Sequence, residues 1–290
     1  MPRIVIAGCG FVGLATARLF HGAGWEVLGL THSIESAQAL SPEPFATASC
    51  DIADLAALKL VAGKFGREPD AIIHCASSGR GGTDAYRSVY LEGARNLLDA
   101  LAAKRFLFTS STSVYAQTDG GWVTEESPAE PSRETGRILR ETEELVLAHG
   151  GIVTRLAGIY GPARSVLLRK FFSGEAVIED DGRRYVNQIH RDDIASALCV
   201  LIERGAAGIH NVCDDQPATQ REIYEWLATR FARPLPPTGP IVPNRKRGWT
   251  SKRVSNARLR SLGWAPKFPN FFDAVQNDPL LELLARPRPE

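Results

Sequence analysis

The chain has no long apolar run, no excess of charge and no paired cysteines, and each absence removes a class of protein. No stretch approaches the roughly 20 apolar residues that a membrane-spanning helix needs. The opening MPRIVIAG runs straight into a β-rich segment, so no targeting segment is expected. A formal net charge of +1 supplies no general field for nucleic acid or an anionic membrane surface. Five cysteines (Cys9, Cys50, Cys75, Cys199 and Cys213) are odd in number, far apart and without a C-x-x-C pair. That spacing argues against a metal site or a disulfide framework and fits reduced, packed thiols in a cytoplasmic protein. What remains is an ordinary globular composition, with 44% hydrophobic and 23% charged residues in 290, long enough for a large core.

Continuous apolar runs recur through the first half at 3–8, 25–30, 71–76, 105–111 and 151–158, as strands buried on both faces require. Helical periods lie between them, around 12–22, 53–62, 84–103 and 135–149. This alternation predicts an α/β fold of the Rossmann type, a doubly wound parallel sheet. After about residue 160 the rhythm breaks. DDIASALCVLIER (192–204) predicts a further helix capped by Asp192, 208–214 a strand and 219–231 a helix. ARPLPPTGPIVP (232–243) is too rich in proline for either, and the tail LLARPRPE is expected to be loose. The reading is a dinucleotide-binding domain over 1–160, with returning segments at about 186–214, and a smaller, interrupted substrate lobe over 161–290.

The strongest local motif is Gly8-Cys9-Gly10-Phe11-Val12-Gly13, directly after the first strand and at the start of a helix. Gly8 permits the tight turn, Gly10 lets the backbone approach a pyrophosphate, and Gly13 allows close helix–strand packing. The helix N-terminus then offers free N–H groups to phosphate. At the end of the second strand stand Thr31, His32 and Ser33, with no carboxylate before Glu35. An acidic residue there would hold the ribose 2′-hydroxyl of NAD. Its absence favours NADP modestly, although no arginine occupies the loop and NAD remains open.

Further motifs, in order, resemble the short-chain dehydrogenase/reductase superfamily in its extended, NAD-dependent epimerase/dehydratase-like form. They are Cys50-Asp51-Ile52, His74-Cys75-Ala76-Ser77-Ser78, the helix around Leu91–Leu98, Thr109-Ser110-Ser111 running to Val114-Tyr115, Arg155–Pro162, Val186–Asp193 and Ser255–Trp264. Within that group, the chain is similar to an atypical, YeeZ-like branch regarded as oxidoreductases by homology. The resemblance implies that Asp51 and Ile52 hold adenine, and that Cys75, Ala76, Ser77, Thr109 and Ser110 flank the cofactor. It also implies that Ser111 hydrogen-bonds the reacting oxygen of a small-molecule substrate. The family's tyrosine and, one turn later, its lysine fall on Thr135 and Leu139. A threonine hydroxyl is a weaker acid on a shorter arm and leucine has no charge, so the usual proton relay cannot operate.

Candidate catalytic groups are therefore Ser111, Tyr115 and Thr135, with Tyr115 more readily a packing residue. His190, Arg137, Arg140, Tyr86, Tyr90 and Tyr160 are weaker candidates. The basic run Arg245–Arg253 fits either a diphosphate site or a solvated surface. Three functions stay open: an NAD(P)-dependent oxidoreductase with altered proton chemistry, a non-catalytic dinucleotide-binding or sensor protein, and a nucleotide-sugar epimerase or dehydratase. The chain is expected to be a monomer or a homodimer.

Overall fold

Seven strands form one parallel sheet: β1 (Arg3–Ala7), β2 (Glu26–Thr31), β3 (Ala46–Ser49), β4 (Ala71–His74), β5 (Arg105–Ser111), β6 (Ile152–Leu156) and β7 (Gly208–Val212). The structure is a computed structural model describing residues 1–66, 68–79, 81–241, 249–282 and 284. The strand order is β7-β6-β5-β4-β1-β2-β3, which is the doubly wound arrangement. Ile4, Val5 and Ile6 of β1, Ile72 and Ile73 of β4, and Leu107 and Phe108 of β5 are wholly buried, since helices cover both faces of a parallel sheet. The order reverses between β1 and β4. Loops leaving the carboxyl ends of these two strands diverge to opposite sides, and a crevice opens between them.

β3 was not foreseen. Its sequence, Ala-Thr-Ala-Ser, has no large apolar residue because it is an edge strand, paired only with β2 and partly exposed. The helix foreseen over 84–103 is a composite of α-helix Thr83–Tyr86, a π-helical stretch Arg87–Glu92 and α-helix Gly93–Ala100. The wider turn is of a kind that recurs at functional sites. Here it brings the Val89 carbonyl to His74 Nε2, which donates to it at 3.0 Å. Asp192 is not the cap of its helix. The helix runs Arg191–Glu203, and the extended residue before it, His190, accepts the Asp192 amide on its ring nitrogen at 3.2 Å. Asp192 instead lies in the first turn, where its charge suits the helix dipole.

The buried apolar residues divide into two clusters. One follows the sheet and its helices. The other is built from Tyr160, Leu168, Phe171, Ile178, Ile223, Tyr224, Leu227, Phe268 and Phe271. It is carried by helices Val166–Phe172, Gln220–Arg230 and Phe271–Asn277. Thr219 and Glu222 close the start of the second of these with a reciprocal capping box. The proline-rich run contributes the short strand Thr238–Gly239, paired with Ile178–Glu179; its residues 242 and 243 lie outside the described residues, as does the tail apart from Leu284. Among the described residues no helix is long and apolar enough to cross a membrane.

Between the clusters, Asp214 is 3% exposed and neither of its carboxylate oxygens has a hydrogen-bond partner of good geometry. Burial pushes its pKa well above the usual carboxylate range, and the nearby Asp215 and Asp193 push the same way; the Gln216 amide opposes them. The unfolded chain releases this proton near pH 3.9, whereas the folded chain holds it to higher pH. Stability therefore falls as pH rises through the interval between the two values. Asp214→Asn removes that loss. Relative to the wild type it is expected to gain little at pH 4 and clearly more at pH 7. Urea unfolding at the two pH values measures the difference; an equal effect at both would show that Asp214 ionises freely in the fold.

Candidate functional site

The turn after β1 has the geometry of a phosphate cradle. Gly8 has φ +96°, and a Cβ there would stand 2.3 Å from the Ala76 backbone. A Cβ on Gly13 would stand 2.2 Å from the Gly8 carbonyl oxygen, so this glycine lies beneath the turn and does not line the crevice. Gly10 differs: a Cβ there meets nothing within 4 Å, and the open space lies on the crevice side, which Gly10 lines with Gly8, Phe11 and Val12. No side chain caps the helix Phe11–Gly22, so its first N–H groups are left for an anion. The strain-prone position, the open one and the close approach fall on Gly8, Gly10 and Gly13, the order that a pyrophosphate requires.

The crevice encloses about 740 Å³. At one end it is walled by Thr31, His32, Asp51 and Ile52. His32 is 82% exposed, with Nδ1 3.9 Å from Asp51 Oδ1. Ser33 does not reach the wall; it caps the helix Ile34–Ala39 by accepting the Ser36 amide at 3.2 Å. Beyond β4, Cys75, Ala76 and Ser77 form the facing wall. Cys75 Sγ donates to the Gly8 carbonyl at 3.3 Å, and burial raises its pKa, as burial raises that of Cys9 to about 12. Both thiols are packing groups, not nucleophiles. Burial also lowers His74 to about 4, so it is neutral at pH 7.

Thr109, Ser110 and Ser111 reach the crevice from the carboxyl end of β5. Ser111 Oγ accepts the Ser113 amide at 3.2 Å, which leaves its O–H free to donate to a ligand. Ser110 Oγ instead donates to Glu143 at 2.6 Å. Glu143, on helix Glu134–Ala148, also accepts two bonds from Arg155 of β6, at 3.1 and 2.7 Å, and one from Arg140. This buried network ties the end of β5 to the helix that carries Thr135 and Leu139.

Two of the candidate catalytic residues are not in the crevice. Tyr115 is wholly buried and its hydroxyl hydrogen-bonds the Thr124 carbonyl and Asn211 Oδ1, each at 2.9 Å, while Arg155 stacks on its ring at 4.8 Å. Burial raises its pKa above the usual value, so it packs and does not carry protons. Thr135 lines a second, smaller hollow of about 190 Å³. That hollow and the crevice share Tyr86, Ser113 and Leu139 as a common wall. Of the weaker candidates, Arg137 and Arg140 pair with carboxylates of their own helix. His190 bonds Asp278 at 3.1 Å in a buried setting, and Tyr160 belongs to the second apolar cluster. Tyr90 lines the crevice.

Sequence reasoning missed Arg164. It lines the crevice and stacks over Phe11 at 4.8 Å, with Arg191 over the same ring at 5.2 Å. It places positive charge beside the glycine turn. Its sequence signal was faint, a lone arginine two residues past Gly161-Pro162. In the basic run, residues 245–248 lie outside the described residues; Trp249 and Thr250 line the smaller hollow, and Ser251 and Lys252 are buried.

A parallel doubly wound sheet with an open glycine cradle at its switch point defines a dinucleotide-binding protein. Residues 4–213 match the NAD dependent epimerase/dehydratase family, and the chain belongs to that family. It is 28% identical over 288 residues to Protein YeeZ of Escherichia coli (strain K12), covering 93% of this chain and 97% of that one. It is 27% identical over 209 residues to a 3-diazoavenalumate denitrifying reductase of Streptomyces sp, covering 63% and 69%. A solved structure from Methylobacillus flagellatus, provisionally assigned to the NAD-dependent epimerases/dehydratases, superposes with a TM-score of 0.78 at 28% identity, covering 98% of this chain and 99% of that one.

Proposed function

We propose that the protein is an NAD(P)-dependent oxidoreductase acting on a small substrate without the family's tyrosine–lysine pair. The observation that carries this reading is the position of Ser111, its hydroxyl proton free, on the crevice wall next to the hollow bounded by Ser113 and Leu139. A dinucleotide held by Gly8, Gly10, Phe11 and Val12, with Arg164 adding charge, supplies or accepts hydride. Ser111 orients the reacting oxygen by donating its proton in a hydrogen bond. NADP is favoured over NAD because no carboxylate stands at the end of β2, while His32, at the rim, tolerates a 2′-phosphate. Asp51 at 3.9 Å from His32 limits that preference.

One observation favours a second reading. Leu139 stands where the lysine would be and Tyr115 is locked in packing, so dinucleotide binding without turnover, as in a sensor, is the competing function. Oxidation of NADPH across a panel of aldehydes, ketones and quinones separates the two. Ser111→Ala is expected to lower turnover by about 100-fold, the usual loss for one donor to a reacting oxygen, with cofactor affinity within about twofold, since its contact is with substrate. Equal turnover by the variant would place the reacting oxygen elsewhere. Tight cofactor binding with no turnover of any carbonyl would support the sensor.

A further inference from the structure

The hollow beside the crevice carries chemistry that dinucleotide binding does not use. Ser113, Ser132, Thr135 and Thr250 line it with Arg133 and Trp249, and none of its lining residues bears a carboxylate. The Trp249 Nε1–H is buried without a hydrogen-bond partner, an unfavourable state unless a ligand accepts from it. Behind this wall lies Lys252, 4% exposed. Its ammonium donates to Thr250 Oγ1 and to the Tyr115 carbonyl, both at 2.9 Å. Neither partner is an anion, and the charge that acts on it is the like charge of Arg184. A buried cation facing another cation, with only neutral partners, is an arrangement that an incoming anion would relieve.

The hydrogen-bond directions fix what that anion would meet. Thr250 Oγ1 accepts from Lys252, so its own proton is left to donate, and Thr250 is part of the hollow's lining. We propose that the hollow binds the oxyanion of a small substrate, a carboxylate or a phosphate monoester, with Thr250 and Trp249 as donors and Lys252 as the positioning charge behind Thr250. The proposal rests on the reading of the adjoining crevice as the dinucleotide site. The shared wall of Tyr86, Ser113 and Leu139 means that a molecule anchored by its oxyanion in the hollow presents its remainder toward Ser111. At about 190 Å³, the hollow falls below the roughly 300–1,000 Å³ of typical ligand pockets. It suits one charged group of a small hydroxylated acid.

The probes are sulfate, which stays doubly ionised from pH 6 to 9, and malonate. Each is titrated calorimetrically into NADPH-saturated protein at ionic strength fixed with sodium chloride, so that the phosphate cradle is already filled. Saturable binding of at least one probe is expected; preference for sulfate assigns the site to phosphate, and preference for malonate to carboxylate. Thr250→Val and Lys252→Met should each weaken binding by about tenfold and Trp249→Phe by about threefold, all with unchanged NADPH affinity. Burial and Arg184 lower Lys252 to about 8, so the charge behind Thr250 is lost as the pH rises past that value. Wild-type affinity for the probe should therefore fall between pH 7 and 9 and stay flat in Lys252→Met, a response that a purely structural lysine would not give. Binding no stronger than that of chloride, or variants that bind as the wild type does, would overturn the proposal. If Lys252→Met does not fold, Thr250→Val decides. If the wild type fails to bind NADPH, the dinucleotide reading falls separately, and the same titration of the free protein and Thr250→Val still tests the hollow.

Discussion

Gly10→Asp is expected to weaken dinucleotide binding by at least about 100-fold, equivalent to about 2.7 kcal/mol, while leaving the fold intact. The two halves of that expectation come from one observation. A Cβ at Gly10 meets nothing within 4 Å, so the fold has no reason to resist the side chain. The space it would fill is the approach to the uncapped helix N-terminus, where a carboxylate both occupies the pyrophosphate position and repels it. The same change at Gly8 or Gly13 would be uninformative, because those positions abut backbone at 2.3 and 2.2 Å. Calorimetry with NADPH and NADH on both proteins, with thermal unfolding alongside, makes the measurement. Equal affinity in wild type and variant would remove the dinucleotide site from the crevice. A strong wild-type preference for NADH would overturn only the reading of Thr31 and His32.

Glu143→Met is expected to destabilise the protein by about 3–5 kcal/mol, the range for removing one member of a buried ion pair. Glu143 and Arg155 are 0% and 1% exposed at their side chains. Without the carboxylate, Arg155 is left as a buried charge against the Tyr115 ring, and Ser110 loses the acceptor of its hydrogen bond. The double change Glu143→Met with Arg155→Met should recover much of the loss, since apolar replacements of a whole buried pair are often neutral. Urea unfolding of the wild type, Glu143→Met, Arg155→Met and the double variant gives the coupling energy. A cost below about 1 kcal/mol for the single change would mean that solvent reaches Arg155 and Ser110 in ways the buried geometry does not indicate.

Where a residue's neighbours lie next to it along the chain, its role could be read from sequence. The glycine turn is such a case, because strand, turn and helix are consecutive, although the backbone that crowds Gly8 is that of the distant Ala76. So are the buried strands, whose continuous apolar runs record burial on two faces. Asp192 failed by two residues because an acidic first turn and an acidic cap look alike until the backbone of His190 is seen to be extended. Tyr115 and Ser33 sit within motifs that point to the site, yet their hydroxyls are taken by Asn211 and Ser36. Arg164 was opaque, and Thr250 and Lys252 were visible only as part of an ambiguous basic run, for the converse reason. They come from segments with no periodicity, and the fold brings them to walls built mainly by residues distant in sequence.

The chain does not finish one apolar cluster before starting the other. After β6 it enters the second cluster at Tyr160, returns for helix Arg191–Glu203 and β7, and leaves again for Ala218–Leu227. A fragment ending near residue 160 would keep the glycine turn but lose β7, leaving β6 as a bare, apolar sheet edge with Val153 uncovered to solvent. Such a piece is an aggregation template, so the nucleotide half is not a detachable cassette for fusion or transplantation. The threading also governs mechanics. Any movement of one cluster against the other must displace the chain at several crossings, among them those near 157, 187, 215 and 266.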